Sequence, residues 1–139
     1  MFRRWAPEHF GYIADAMAER GFQVVMTGTE EESELANAMV RAMRTKAISM
    51  VGRTDLGTLG VLLRHAKILI ANDTGVSHMA AGLRLPSVII CTGSDPIRWG
   101  PLNRQRHRVL LGQHASFESV MREVDDLLSG ASVNTEVSV

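Results

Sequence analysis

Three short runs in this 139-residue chain are apolar throughout, and residues with helical periodicity separate each from the next. Val24-Val25-Met26, Ile68-Leu69-Ile70-Ala71 and Val88-Ile89-Ile90-Cys91 show no alternation of polar and apolar residues. A strand built from such a run must be covered on both faces. Strands of that kind alternating with helices form a parallel sheet between two helix layers. The expected class is therefore α/β: a Rossmann-like parallel sheet with helices on both faces.

The intervening segments fit that frame. Phe10, Ile13, Ala14, Met17 and Ala18 make one helical stripe, with Pro7 at a helix start and Gly21 at a stop. Phe22–Thr27 then reads as a buried strand. A second helix turns Leu35, Ala38, Met39, Ala42 and Met43 inward, and its first turn carries Glu30, Glu31, Glu32 and Glu34, where acid suits the helix dipole. A short strand over Ala47–Val51 precedes a stripe of Leu56, Leu59, Leu62, Leu63 and Ala66, weakened by Gly57 and Gly60. Lys67–Ala71 is the clearest strand. A short helix over Val76–Leu83, strands at Ser87–Cys91 and Arg108–Leu111, and a final amphipathic helix from Phe117 to Leu128 complete the pattern. Residues 1–128 are expected to form one domain, and the polar, patternless residues 129–139 a disordered tail. The chain begins with a helix, whereas such domains normally open with the central strand.

Fifteen Lys and Arg balance fifteen Asp and Glu, which argues against a uniformly basic nucleic-acid or polybasic membrane binder. Cys91 is the one cysteine, so an internal disulfide is excluded and nothing points to an oxidising compartment. No apolar run reaches the roughly 20 residues of a membrane-spanning helix. The start of the sequence lacks the apolar stretch of a secretion signal. The expected location is the cytoplasm.

In open parallel sheets, ligands bind beyond the carboxyl ends of the strands. Four strand ends matter here: Thr27-Gly28, Gly52-Arg53, Asn72-Asp73-Thr74-Gly75 and Thr92-Gly93-Ser94-Asp95. The third puts a glycine turn and a helix start directly after the clearest strand. Free backbone N–H groups and a positive dipole end then converge on one point, an anion site. Thr74 can add a hydroxyl, and His78 lies one turn into the helix. Capping of that helix by Asp73 or Thr74 accounts for the same pattern equally well. Other motifs are absent. Gly52–Leu59 has P-loop glycine spacing without its Lys and Ser/Thr, no GxGxxG follows a strand, and Gly75-Val76-Ser77-His78-Met79 ends a nucleophile elbow in Met. The five histidines form no metal-ligand pattern.

Asn72-Asp73-Thr74-Gly75-Val76-Ser77-His78-Met79-Ala80-Ala81-Gly82 resembles the donor-site signature of glycosyltransferase family 9, the heptosyltransferases of lipopolysaccharide core assembly. Further segments are similar to that family in the same order: Arg3-Arg4-Trp5-Ala6-Pro7-Glu8, Val24–Gly28 followed by Glu30-Glu31-Glu32, Gly52-Arg53-Thr54, Leu85-Pro86-Ser87 and Ser94-Asp95-Pro96-Ile97-Arg98-Trp99-Gly100-Pro101. The likeness runs from about residue 3 to residue 128. Two departures stand out: Arg3 where the family usually has Lys, and Cys91-Thr92-Gly93-Ser94 where Phe-Gly-Pro-Thr is common.

The resemblance implies the C-terminal, donor-binding half of a GT-B enzyme, with the first strand of that half missing. It implies inverting glycosyl transfer from a nucleotide-diphosphate-sugar, an ADP-sugar, without metal or other cofactor. The diphosphate would lie on Asp73, Thr74 and Gly75 with His78 nearby, Arg3 would neutralise phosphate, and Glu32 would hold the ribose. No catalytic base is expected within these residues; the family takes it from the N-terminal, acceptor-binding domain. The implied partners are the nucleotide-sugar and a lipid-linked saccharide, with no nucleic acid, no transmembrane segment, and a homo-oligomer left open. The implied location is cytoplasmic and peripheral to the inner membrane. A truncated, non-catalytic nucleotide-binding remnant, or one half of a split transferase, is the alternative. Trp5 and Trp99 are expected to pack rather than stack on ligand, Arg98, Arg104, Arg106 and Arg108 to form a solvated face, and Cys91 to be buried.

Overall fold

The computed structural model of the chain describes residues 5–72, 74–92 and 105–129, and the backbone of 136–138. Five helices and six strands follow one another in these segments. They are α1 (Pro7–Glu19), β1 (Gln23–Met26), α2 (Ser33–Ala42), β2 (Ile48–Ser49), α3 (Leu56–His65), β3 (Ile68–Asn72), α4 (Gly75–Gly82), β4 (Ser87–Cys91), β5 (His107–Leu111), α5 (Phe117–Ser129) and β6 (Glu136–Ser138). Single 3-10 turns at Glu30–Glu32 and Gly112–His114 lead toward α2 and α5.

All six strands are parallel and lie in the order β2-β1-β6-β3-β4-β5. That is the doubly wound arrangement, with a strand from the C-terminal end of the chain in the central place where the opening strand normally runs. The expected disorder of the tail is therefore corrected over 136–138. The backbone groups of β1 and β3 that face this gap need partners, and an extended segment supplies them. The sheet has the expected class, with its centre filled by β6.

Alternation along the strands divides the core. Val24, Met26, Ile68, Ile70, Val88 and Ile90 face one layer, packed on Phe10, Ile13, Ala14 and Met17 of α1, Met39 of α2, and Val120, Met121 and Val124 of α5. Leu69, Ala71, Ile89 and Cys91 face the other, against Leu63 of α3, Ala80 of α4 and Leu85. Helices thus cover both faces, and the unbroken apolar strands follow from that. Cys91 is buried, as expected.

α1 and α2 pack very closely: a Cβ on Gly11 would stand 2.8 Å from the Met39 carbonyl oxygen. Buried Asp15 binds the chain leaving α2, accepting the Arg44 N–H at 2.9 Å, the Thr45 N–H at 2.9 Å and the Thr45 hydroxyl. Elsewhere the helical stripes are narrower than expected. Leu35 and Leu56 are exposed, Leu56 to 74%, because both stand in the first turns of their helices at the rim of a cleft. The strand expected over Ala47–Val51 shrinks to Ile48–Ser49, both exposed at the sheet edge.

Candidate functional site

The carboxyl ends of β1, β2 and β3 open into a cleft of about 640 Å³, a volume suited to a small ligand. Thr27, Gly28, Glu30 and Glu32 follow β1 on its wall; Val51, Gly52, Thr54 and Asp55 follow β2; Asn72, Thr74 and Gly75 follow β3. The residues leading into α1 close one side. Trp5 is buried there, and its backbone N–H donates to Asn72 Oδ1 at 2.8 Å, tying the approach to α1 to the end of β3.

Each wall has a local cause. Gly52 takes a left-handed backbone, φ 72°, and a Cβ on it would lie 3.4 Å from Glu30. Asp55 caps α3 by accepting the Thr58 N–H at 2.7 Å. That amide and the Thr58 hydroxyl hold the Asp55 carboxyl below its ordinary value, so it is ionised at neutral pH. Glu32 accepts the Thr29 N–H at 2.9 Å and the Thr29 hydroxyl at 3.2 Å, closing a capping box at the entrance to α2.

At α4 the capping reading of the third strand end does not hold for Thr74. Thr74 is the N-cap residue in an extended conformation, yet its side chain makes no capping bond. Its carbonyl accepts the Ser77 N–H at 3.1 Å and the Ser77 hydroxyl at 2.6 Å. The Thr74 side chain is thus not consumed by its own helix. Among the described residues, a Cβ on Gly75 would meet nothing within 4 Å, so none of them covers this side of the first helical turn.

Thr74, Gly75 and Glu32 come together on the cleft wall. His78 is exposed on α4 and does not line the cleft. Arg3 and Asp73 lie outside the described residues, as do Gly93–Arg104 with Asp95, Arg98, Trp99 and Arg104. Arg108 is tied to α5, at 2.9 Å from Glu123 and 2.7 Å from Asp126. Trp5 packs in the core, as expected, but also borders the cleft. Sequence reasoning missed Asp55 and the apolar lining of Leu59 and Met79. The Asp55-Leu56-Gly57-Thr58 capping pattern was the available signal for the first. Among the described residues the wall carries three carboxylates, Glu30, Glu32 and Asp55, and no basic side chain.

A doubly wound parallel sheet with a helix N-terminus open at the carboxyl edge defines a Rossmann-like ligand-binding domain. Known proteins make this more specific. The profile of "Glycosyltransferase family 9 (heptosyltransferase)" matches residues 1–126. The crystal structure of the glycosyl transferase family 9 protein from Veillonella parvula superposes with a TM-score of 0.86 at 26% identity, covering 93% of this chain and 43% of that one. The Escherichia coli ADP-heptose lps heptosyltransferase II structure gives 0.82 at 26% identity, over 91% and 42%. The chain is 29% identical over 118 residues to lipopolysaccharide heptosyltransferase 2 of Escherichia coli K12, covering 81% of this chain and 34% of that protein. It is 32% identical over 104 residues to lipopolysaccharide heptosyltransferase 3 of the same strain, over 73% and 30%. It therefore spans about a third of the length of these curated relatives. The chain belongs to glycosyltransferase family 9, the heptosyltransferase family. Among the described residues no helix is long and apolar enough to cross a membrane.

Proposed function

We propose that the cleft binds the nucleotide-diphosphate-sugar donor of a heptosyltransferase-like reaction, an ADP-sugar by the likeness to the Escherichia coli protein. The observation that carries this is the first turn of α4: a Thr74 side chain outside the helix's own capping, beside a Gly75 that no described residue covers. Backbone N–H groups and the helix dipole there stabilise a diphosphate. They act most strongly on the charge that builds as the sugar departs, which is where catalysis needs them. Arg3 is assigned the cation that offsets the leaving diphosphate, since the described wall contains none. Asp73 and His78 are assigned to the same end of the ligand. Glu32 is assigned the ribose, at the acidic side of the cleft.

Transfer with inversion requires a base to take the proton of the attacking hydroxyl. That base and the lipid-linked acceptor are assigned to polypeptide outside this domain, and the reaction to the cytoplasmic side of the inner membrane without a metal. The alternative is a non-catalytic binding module of the same fold; transferase turnover by the purified chain would exclude it.

Calorimetry with ADP and an ADP-sugar tests the reading. Binding at millimolar concentration or tighter is expected. Gly75→Val should weaken it at least tenfold with little change in melting temperature, because the added side chain points into open space. No heat of binding up to several millimolar would remove the assignment.

A further inference from the structure

β3 ends on its one polar residue: Ile68, Leu69, Ile70 and Ala71 are buried, and Asn72 is half-buried. Ile68 and Ile70 face the α1 layer, and Leu69 and Ala71 the opposite one. Alternation therefore turns the Asn72 side chain toward α1. There Oδ1 accepts the Trp5 backbone N–H at 2.8 Å, across 67 positions of sequence. Asn72 also lines the cleft, two residues before Thr74.

That bond decides which way round the amide sits. A main-chain N–H in a part-buried place needs an acceptor, and a flipped amide would set its NH2 group against it, donor to donor. Trp5 cannot turn aside to accommodate the flip. Its indole is buried, edge-on to Phe10 with ring centroids 5.1 Å apart, and Pro7 opens α1 two residues on. With Oδ1 turned to Trp5, the polar group that remains is Nδ2, which has no hydrogen-bond partner among the described residues. It is not sealed in either: the buried side-chain polar atom left without a partner among these residues is Thr92 Oγ1. Asn72 thus offers the cleft a donor of fixed direction. The rest of the described wall carries three carboxylates and no basic side chain, so contacts from it to an anion must come from uncharged donors. The threonine hydroxyls there rotate and can donate or accept; Nδ2 can only donate.

We infer that the Asn72 side-chain amide donates to an oxygen of the diphosphate, and that the Trp5 main chain holds it in the donating orientation. The contact rests on the donor-nucleotide reading of the cleft and deepens it by a residue and a reason for its direction. Because the amide is oriented before ligand arrives, less freedom is lost on binding.

Asn72→Asp tests the contact. The substitution is isosteric and keeps an oxygen for the Trp5 N–H, but it exchanges the NH2 group for a second carboxylate oxygen. By calorimetry on the full chain, ADP should bind the variant at least tenfold more weakly, with adenosine binding changed less than twofold. A purely structural role for Asn72 would move neither. The unsubstituted chain gives a second readout: in NMR spectra the Asn72 side-chain NH2 signals should shift as ADP or inorganic pyrophosphate is added and stay in place with adenosine. That titration separates a lost hydrogen bond from mere repulsion by the new charge, and it decides alone if the variant does not fold. The contact is overturned, with the donor reading intact, if Gly75→Val weakens ADP binding while Asn72→Asp does not, or if ADP binds with the NH2 signals unmoved. An equal loss for ADP and adenosine overturns it in favour of a ribose contact. A chain that binds neither ADP nor pyrophosphate removes the donor reading and this contact together.

Discussion

The two halves of the sheet are built differently. In the β3-β4-β5 half, five-residue strands pair over four and five positions, and β4 is buried along its whole length. In the β2-β1-β6 half, pairings run over two and three positions, and β2 is exposed. One half is held by apolar strands sandwiched between helices. The other is held by the contact of α1 with α2, the Asp15 hydrogen bonds and a strand from the end of the chain. The cleft opens across the junction, with Gly52 and Glu32 on the weakly paired side and Gly75 on the strongly paired one. A binding site placed there has one rigid wall and one that depends on helix packing and loops, a common arrangement for regions that adapt to ligand.

The largest expected effect breaks this contrast if it fails. Ile89, fully buried in β4, should cost about 2–5 kcal/mol when truncated to alanine, through lost burial and a residual cavity. Ile48→Ala in β2, at a residue 49% exposed, should cost no more than about 0.5 kcal/mol. Urea unfolding monitored by circular dichroism measures both. Equal losses would show that the edge strand contributes as much as the sandwiched one.

The same contrast explains how much was legible in the sequence. Ile68–Ala71 and Ser87–Cys91 announce themselves, since strands covered on both faces must be apolar throughout, and Thr74-Gly75 follows the first of them directly. Ala47–Val51 was read too long because β2 lies at an edge, where nothing enforces a pattern. Residues 136–138 were invisible for a different reason. A three-residue strand carries no periodicity, and its place is set by a vacancy that only the three-dimensional order of β1 and β3 creates. In the site, strand-end reasoning found Thr74 and Gly75 and the family resemblance added Glu32; the three share the cleft wall. Neither route noted that Glu32 also closes a capping box, although the Thr29-Glu30-Glu31-Glu32 spacing is its sequence signature, nor that His78 is exposed and outside the cleft lining. The cleft's acidic, cation-free described wall was likewise hidden, being a sum over three separate strand ends.

Acid should separate the halves in a second way, with intermediate effect. His107, at the start of β5, is buried with Nδ1 2.7 Å from the Ser87 hydroxyl. Burial pushes its imidazole below the ordinary 6.5, and the charge of Arg106 adds to the shift. The unfolded chain therefore binds more protons than the folded one below about pH 6.5. Stability is full above that value and falls as pH drops toward the folded-state pKa. Asp15 behaves differently in its window. Burial pushes its carboxyl up, but the Thr45 hydroxyl, the Arg44 and Thr45 amides and the Arg44 guanidinium outweigh this and leave it below the ordinary 3.8. Its contribution is present above that value and is lost only as pH falls below it. Stability measured by urea between pH 7.5 and 3 should decline in two stages. His107→Gln should abolish the first and leave the second; a single-stage decline in the native chain would contradict the assignment.

The smallest effect sharpens the contrast by finding a flaw in the well-built half. α4 ends in a Schellman turn: Leu85 donates its N–H to the Ala80 carbonyl at 2.9 Å and Arg84 donates to Ala81 at 3.2 Å. Buried Leu85 packs in the same cluster as Ala80, completing the motif's hydrophobic contact. The position between helix and contact needs a left-handed backbone, and Arg84 occupies it with φ 59° where glycine is usual. The steric cost of that conformation is about 1–2 kcal/mol for a residue with a Cβ. Glycine would relieve it but would also lose more freedom on folding, a loss of about 0.4–1 kcal/mol. The difference leaves Arg84→Gly more stable by roughly 0.5–1 kcal/mol. A rise in the urea midpoint at unchanged slope is expected. A fall would mean that the exposed Arg84 side chain supports the β3-β4-β5 half through a contact worth more than the strain it imposes.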